Sequence, residues 1–123
     1  MKYTRLKFCK EASEKLGQLK GRTGITPNIL ARIGFIMSLN EPTIPNPEDY
    51  PPDSEREIDR QVLTGQWDLL FVILLKERCF RDGIDTDNEE RLFSQFRSHM
   101  NRGVLLLQKR VRGLRVLGVL LPT

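Results

Sequence analysis

The residues with chemical potential are few, and most of them are cations. Lys2, Arg5, Lys7 and Lys10, then Lys15, Lys20 and Arg22, crowd the first 22 positions. A second set, Arg102, Lys109, Arg110 and Arg112 with Arg115 beyond, stands at the other end. Phosphate oxygens are held by flexible cations close to backbone amides, and a helix start such as Thr26-Pro27-Asn28 supplies free amides. Positions 102, 109 and 112 fall near one face of a helix. If both sets meet on one surface of an oligomer, they can follow a duplex backbone. Few side chains are placed to read base edges, so such binding is expected to tolerate sequence.

Other chemistry is sparse. Cys9 and Cys79 form no CxxC pair, and with His99 as the sole imidazole they suggest no metal cage. Both read as reduced, buried thiols. His99 reads as structural, because no flanking motif makes it a general base or half of a Cys–His pair. The acids Asp85, Asp87, Glu89 and Glu90 lack the glycine and downstream glutamate of a calcium loop. They suit a first helical turn instead. P-loop, GxGxxG, HExxH and GxSxG patterns are absent. The expectation is a chain with no catalytic residues, no metal and no cofactor.

The charge distribution sharpens this. Residues 1–40 hold eight Lys/Arg against two Glu, residues 41–61 seven acids against two Arg, and residues 102–123 five cations and no acid. Two basic ends around an acidic middle point to a polyanionic partner. The acidic stretch reads as a solvated linker and helix start, or as a surface that keeps DNA off or docks a basic partner. The length of 123 residues fits a single domain able to bury its own core. No signal peptide and no membrane span are visible, and the apolar run Leu69–Leu75 is too short to cross a bilayer. A cytoplasmic location is expected.

The elements that must position these residues follow from spacing. Tyr3–Cys9 alternates as a short strand. A helix over Lys10–Lys20 carries Ala12, Leu16 and Leu19 on one face. Gly21–Gly24 is expected to be a turn, and Thr26 to cap a helix with Ile29, Leu30, Ile33, Ile36 and Met37 inside. Residues 41–53, rich in proline and acid, read as a linker. Ser54 and Glu57 form a capping box for a helix over Glu55–Arg81, ended by Asp82-Gly83. Its middle, Trp67–Leu75, is apolar on nearly every face, so burial all round and hence oligomerisation are expected. Thr86 and Glu89 form a second box for a helix over about 87–111, with Leu92, Phe93, Phe96, Met100, Val104 and Leu107 inside. The form of Leu114–Leu121 stays open between strand, helical turn and arm. Gly21 and Gly24, together with Trp67, Leu70 and Leu74, are the candidate oligomer contacts. The fold class expected is mainly α, a compact helical domain with a short N-terminal strand (1–40, linker 41–53, helical 54–123).

Two resemblances bear on this. Arg5-Leu6-Lys7-Phe8, Leu16, Leu19, Thr23-Gly24-Ile25-Thr26 and Leu30-Ala31-Arg32 resemble the ribbon-helix-helix DNA-binding proteins, in which two strands pair across a dimer. Nearly the whole chain resembles the DNA sulfur modification family DndE, through Arg5–Phe8, Thr23–Asn28, Gly65-Gln66-Trp67 and Asn101-Arg102-Gly103. The second resemblance implies a small helical oligomer, a tetramer, that binds double-stranded and especially nicked DNA beside other DNA sulfur modification proteins. A ribbon-helix-helix regulator and a protein-binding scaffold are the alternatives.

Overall fold

The computed structural model describes residues 1–120, with side chains as far as Arg112. Leu6 and Phe8 alternate into the core as the sequence requires, but the strand is shorter than Tyr3–Cys9. It is β1 (Arg5–Lys7), and it pairs antiparallel with β2 (Glu57–Asp59), Leu6 opposite Ile58. Beyond the strand ends, Arg60 N donates to Thr4 O at 2.7 Å and Phe8 N to Arg56 O at 3.0 Å. One edge of β1 is therefore taken within the chain. Strand pairing across a dimer in the ribbon-helix-helix manner has only the other edge left to it.

Helix α1 (Lys10–Thr23) starts on Cys9, whose Sγ accepts from Ala12 N at 3.5 Å. Ala12, Leu16 and Leu19 are buried. The helix runs through Gly21, so the expected Gly21–Gly24 turn contracts to Gly24, which closes the helix at φ 73°. That left-handed conformation is the one glycine adopts without steric cost. Helix α2 (Pro27–Leu39) begins with proline at its first turn, but Thr26 makes no side-chain capping bond. Its buried face is Leu30, Ala31, Gly34, Phe35 and Ser38. Ile29, Ile33 and Ile36, expected inside, lie 37–43% exposed instead. The small residues win the interior because α2 presses against α5 (Glu89–Leu120). A Cβ on Gly34 would collide with the backbone of Gly103, and one on Gly103 with the backbone of Gly34.

Residues 41–53 are a strap laid on α5 rather than a free linker. Gln95 Nε2 donates to Pro45 O at 3.3 Å, and Arg97 Nε to Tyr50 O at 3.3 Å. The expected helix over Glu55–Arg81 is broken into β2, α3 (Arg60–Thr64), a 3-10 turn (Gly65–Trp67) and α4 (Asp68–Arg81). The capping box fails because Ser54 is engaged elsewhere. Its hydroxyl donates to Phe8 O at 2.6 Å and accepts from Arg56 N at 3.1 Å, while Asp59 caps α3. Gly65, at φ 59° and ψ −142°, forces the break between α3 and α4. Asp82 and Gly83 end α4 as expected.

The cap of α5 is Asn88, whose Oδ1 accepts from Arg91 N at 3.1 Å, and not the pair Thr86 and Glu89. The helix continues to Leu120, past Gly103 and Gly113. The open question over Leu114–Leu121 is answered as helix as far as Leu120, while Leu121 and the Arg115 side chain lie outside the described residues. Leu92, Phe96, Met100, Val104 and Leu107 are buried along α5, with Phe93 half-buried beside them. Phe35 meets Phe71 and Phe96 at ring separations of 5.4 and 5.6 Å, which ties α2, α4 and α5 together.

Candidate nucleic-acid interface

The packing of α2 on α5 decides which cations meet. Gly34 lies over Gly103, and four residues later Ser38 reaches His99, four residues earlier. The helices therefore run antiparallel. Carried back at about 1.5 Å rise per residue on each helix, Pro27 comes level with about residue 110. Only residues 24–26 separate α1 from α2, so the end of α1 stands at that same end of the molecule. Lys20 and Arg22 thus stand toward the same end of the molecule as Lys109, Arg110 and Arg112, and all five are exposed. Neither Lys20–Asn40 nor Arg91–Arg112 contains an acidic residue. Helix α2 has its N-terminus, the positive end of its dipole, at this same end.

The other expected cations are placed differently. Lys10 is exposed and Lys15 half-buried on α1, nearer its start. Arg5 and Lys7 stand on β1 opposite Asp59 and Glu57, and Arg5 Nη1 lies 3.9 Å from Glu57 Oε2. Opposite charges at facing positions offset one another, so this pair adds little to a cationic surface. Lys2 is at the far end: its backbone N–H donates to Glu89 Oε2 at 3.1 Å, at the start of α5. About 30 Å of helix separates Glu89 from Lys109.

Arg102 is a correction. It is 9% exposed and its guanidinium is spent inside the protein. Nε donates to Ser38 Oγ at 2.8 Å, Nη2 to Ser38 O at 2.9 Å, and Nη1 to Thr43 O at 2.7 Å. Arg78, which sequence reasoning passed over, works beside it. Its donors reach Leu39 O, Glu41 O and Thr43 O at 2.6–2.8 Å, and Nε pairs with Asp82 at 2.8 Å. The two arginines gather the carbonyls of Ser38 and Leu39 at the end of α2 and of Glu41 and Thr43 just beyond it. A signal existed: Phe71, Leu75, Arg78, Cys79 and Asp82 fall on one helical face.

His99 completes this buried cluster. Its Nδ1 is 2.8 Å from Ser38 Oγ. That oxygen also accepts from Arg102, while His99 Nε2 is buried without a hydrogen-bond partner among the described residues. Burial first, and then Arg102 and Arg78, lower its pKa to about 3. Cys9 and Cys79 are both free and buried. Burial raises both thiols, Cys79 to about 11, which keeps them protonated and poorly nucleophilic at neutral pH. Among the described residues no group of His, Cys, Asp and Glu could hold a metal ion. No described helix is long and apolar enough to cross a membrane.

Of the expected oligomer contacts, Gly21 and Gly24 are exposed beside the cationic end. The Trp67–Leu75 stretch is not buried all round within one chain. Phe71 and Leu75 face the core, Leu74 is half-buried, and Trp67, Leu69, Leu70 and Ile73 are 48–72% exposed.

The family model described as DNA sulphur modification protein DndE matches residues 5–113. The crystal structure of DndE from Escherichia coli B7A, involved in DNA phosphorothioation modification, superposes with a TM-score of 0.71. It is 26% identical, over 87% of this chain and 98% of that one. A glycine-to-lysine DndE mutant involved in DNA phosphorothioation gives a TM-score of 0.69 at 23% identity, over 87% and 99% of the two chains. No curated protein matches the chain.

Proposed function

The chain belongs to the DndE family of DNA sulphur modification proteins, and from that premise we propose that it is a non-catalytic DNA-binding subunit of the phosphorothioation machinery. It grips double-stranded DNA through the phosphate backbone, prefers a nicked duplex, and presents that backbone to partner proteins that supply the sulfur chemistry. It acts in the cytoplasm as a homo-oligomer, a tetramer, with neighbouring chains covering the exposed faces of α2 and α4.

What supports this reading is that Lys20, Arg22, Lys109, Arg110 and Arg112 are exposed toward one end of the molecule, at the α1–α2 turn and the tail of α5, in stretches of chain that carry no acid. Five exposed cations beside a helix N-terminus suit a run of phosphates. A nick suits a backbone reader because the duplex bends and opens there at lower cost. Arg102 has left the contact set for the core, and Arg5 and Lys7 contribute weakly for the reason given above.

The test is a gel shift of intact, gapped and nicked duplex of one sequence over a salt series. With about six phosphates neutralised, log K falls against log salt with a slope near −5. Replacing Lys20, Arg22, Lys109 and Arg110 by Ala in a complex that engages one chain should make that slope shallower by about 3–4. An unchanged slope and affinity in the variant would sink the assignment.

A further inference from the structure

Away from the cationic end, near the start of α5, a buried side chain lacks a partner. Gln95 is 5% exposed, and its Nε2 donates to Pro45 O of the strap at 3.3 Å. Its Oε1 is buried with no hydrogen-bond partner among the described residues. A buried acceptor in that state costs free energy until a donor reaches it. Gln95 also lines a surface cavity of about 310 Å³, together with Arg91 and Ser94 of α5, Pro47 of the strap and Ile84 between α4 and α5. Pro47 and Ile84 are half-buried apolar walls, and Ser94 brings a hydroxyl. Arg91 is exposed and enters none of the ion pairs among the described residues. Apolar walls with a few polar groups are the make-up of a ligand site, here at the small end of the usual range.

Its chemistry names the occupant. Gln95 Oε1 asks for an N–H, and the Arg91 guanidinium for a carbonyl or carboxylate oxygen. Four positions on α5 set the two residues about 6 Å apart along the axis. An extended peptide returns its main-chain groups to the same side every second residue, about 6.6 Å. The rim is acidic: Glu48 and Asp49 follow Pro47, Asp85 follows Ile84 and Glu90 precedes Arg91, and all four are exposed. Phosphate chains are repelled from such a rim and basic side chains are drawn to it. We propose that this cavity docks an extended, basic peptide segment of a partner protein. A main-chain N–H of the peptide is donated to Gln95 Oε1, a carbonyl accepts from Arg91, and an apolar side chain lies between Pro47 and Ile84. Arg91 and Lys109 are about 27 Å apart along α5, so peptide and DNA occupy different ends, and the docking does not depend on how DNA is bound.

The test titrates the blocked peptide acetyl-Lys-Leu-Ala-Lys-amide onto the isotope-labelled full chain and follows it by NMR. The wild type should show saturable shifts at Ile84, Arg91, Ser94 and Gln95. Methylating the peptide nitrogen of either the leucine or the alanine should weaken binding about tenfold or more at one of the two, because the N–H for Gln95 is then gone. A peptide with glutamates in place of its lysines should not bind. Ser94→Tyr, which fills the cavity from its edge, should abolish the shifts and leave retention of nicked duplex in a gel shift as it was. Absence of saturable shifts in the wild type would overturn the inference and leave the cavity to water. Full affinity of both methylated peptides would overturn it as well, and so would inorganic phosphate producing the same shifts. Wild type that binds the peptide but retains no duplex would overturn the proposed function and leave this inference standing.

Discussion

A single imidazole carries a measurable signature. His99 is fully buried, bonded to Ser38, and faced by Arg102 and Arg78. It ordinarily titrates near 6.5 and here near 3, so between those values the unfolded chain binds a proton that the folded one refuses. Stability is then unaffected by this group above pH 6.5 and falls as the pH drops through the window, by up to about 1.4 kcal/mol per unit. Urea unfolding at pH 7 and pH 5 should show about 1–2 kcal/mol lost to this cause in the wild type. His99→Gln should remove that part of the slope whatever its own stability. An equal pH dependence in both proteins would show that the imidazole is not the titrating group.

Between elements, the tightest constraint is the crossing of α2 over α5. Gly103→Ala would raise helix propensity by about 1 kcal/mol, but the new methyl would meet the backbone of Gly34 and Phe35 rather than a yielding side chain. The helices must part, with a net loss expected at about 1–3 kcal/mol. A denaturation midpoint at or above that of the wild type would disprove the close crossing. The elements differ in how far their sequences announced them. Helices α1 and α2 and the inward residues of α5 were legible, because spacing and a left-handed glycine act locally. Strand β2 and the break at Gly65 were not. Ser54 and Glu57 have capping-box spacing, and only the arrival of Phe8 O from 46 residues away redirects the serine. The cationic end was legible in composition. Its assembly was not, since the antiparallel sense of α2 on α5 rests on two glycines 69 positions apart. Arg102 was misplaced because a charge count cannot register that four of its hydrogen bonds already end inside the molecule.

Over the whole molecule, two helices keep a large share of their apolar residues uncovered. Ile29, Ile33 and Ile36 on α2 and Leu69, Leu70, Ile73 and Phe80 on α4 are 37–77% exposed. Scattered exposed hydrophobics are ordinary, whereas ladders at helical spacing mark a contact. In the proposed tetramer this surface is where copies meet. Ile33→Lys should lower the mass read by light scattering and weaken nicked-duplex binding along with it, and an unaltered mass would move the interface elsewhere. The chain's beginning, meanwhile, is anchored to its later part: Cys9 N donates to Asn101 Oδ1 across 92 positions, and Tyr3 stacks on Phe93 at 4.7 Å. A ribosome delivers those partners last. At about 5–20 residues per second, the first nine residues wait on the order of 5–20 s for a place to settle. Throughout that interval the segment around Cys9 lacks its partners on α5, so during synthesis it is a stretch long open to chaperones.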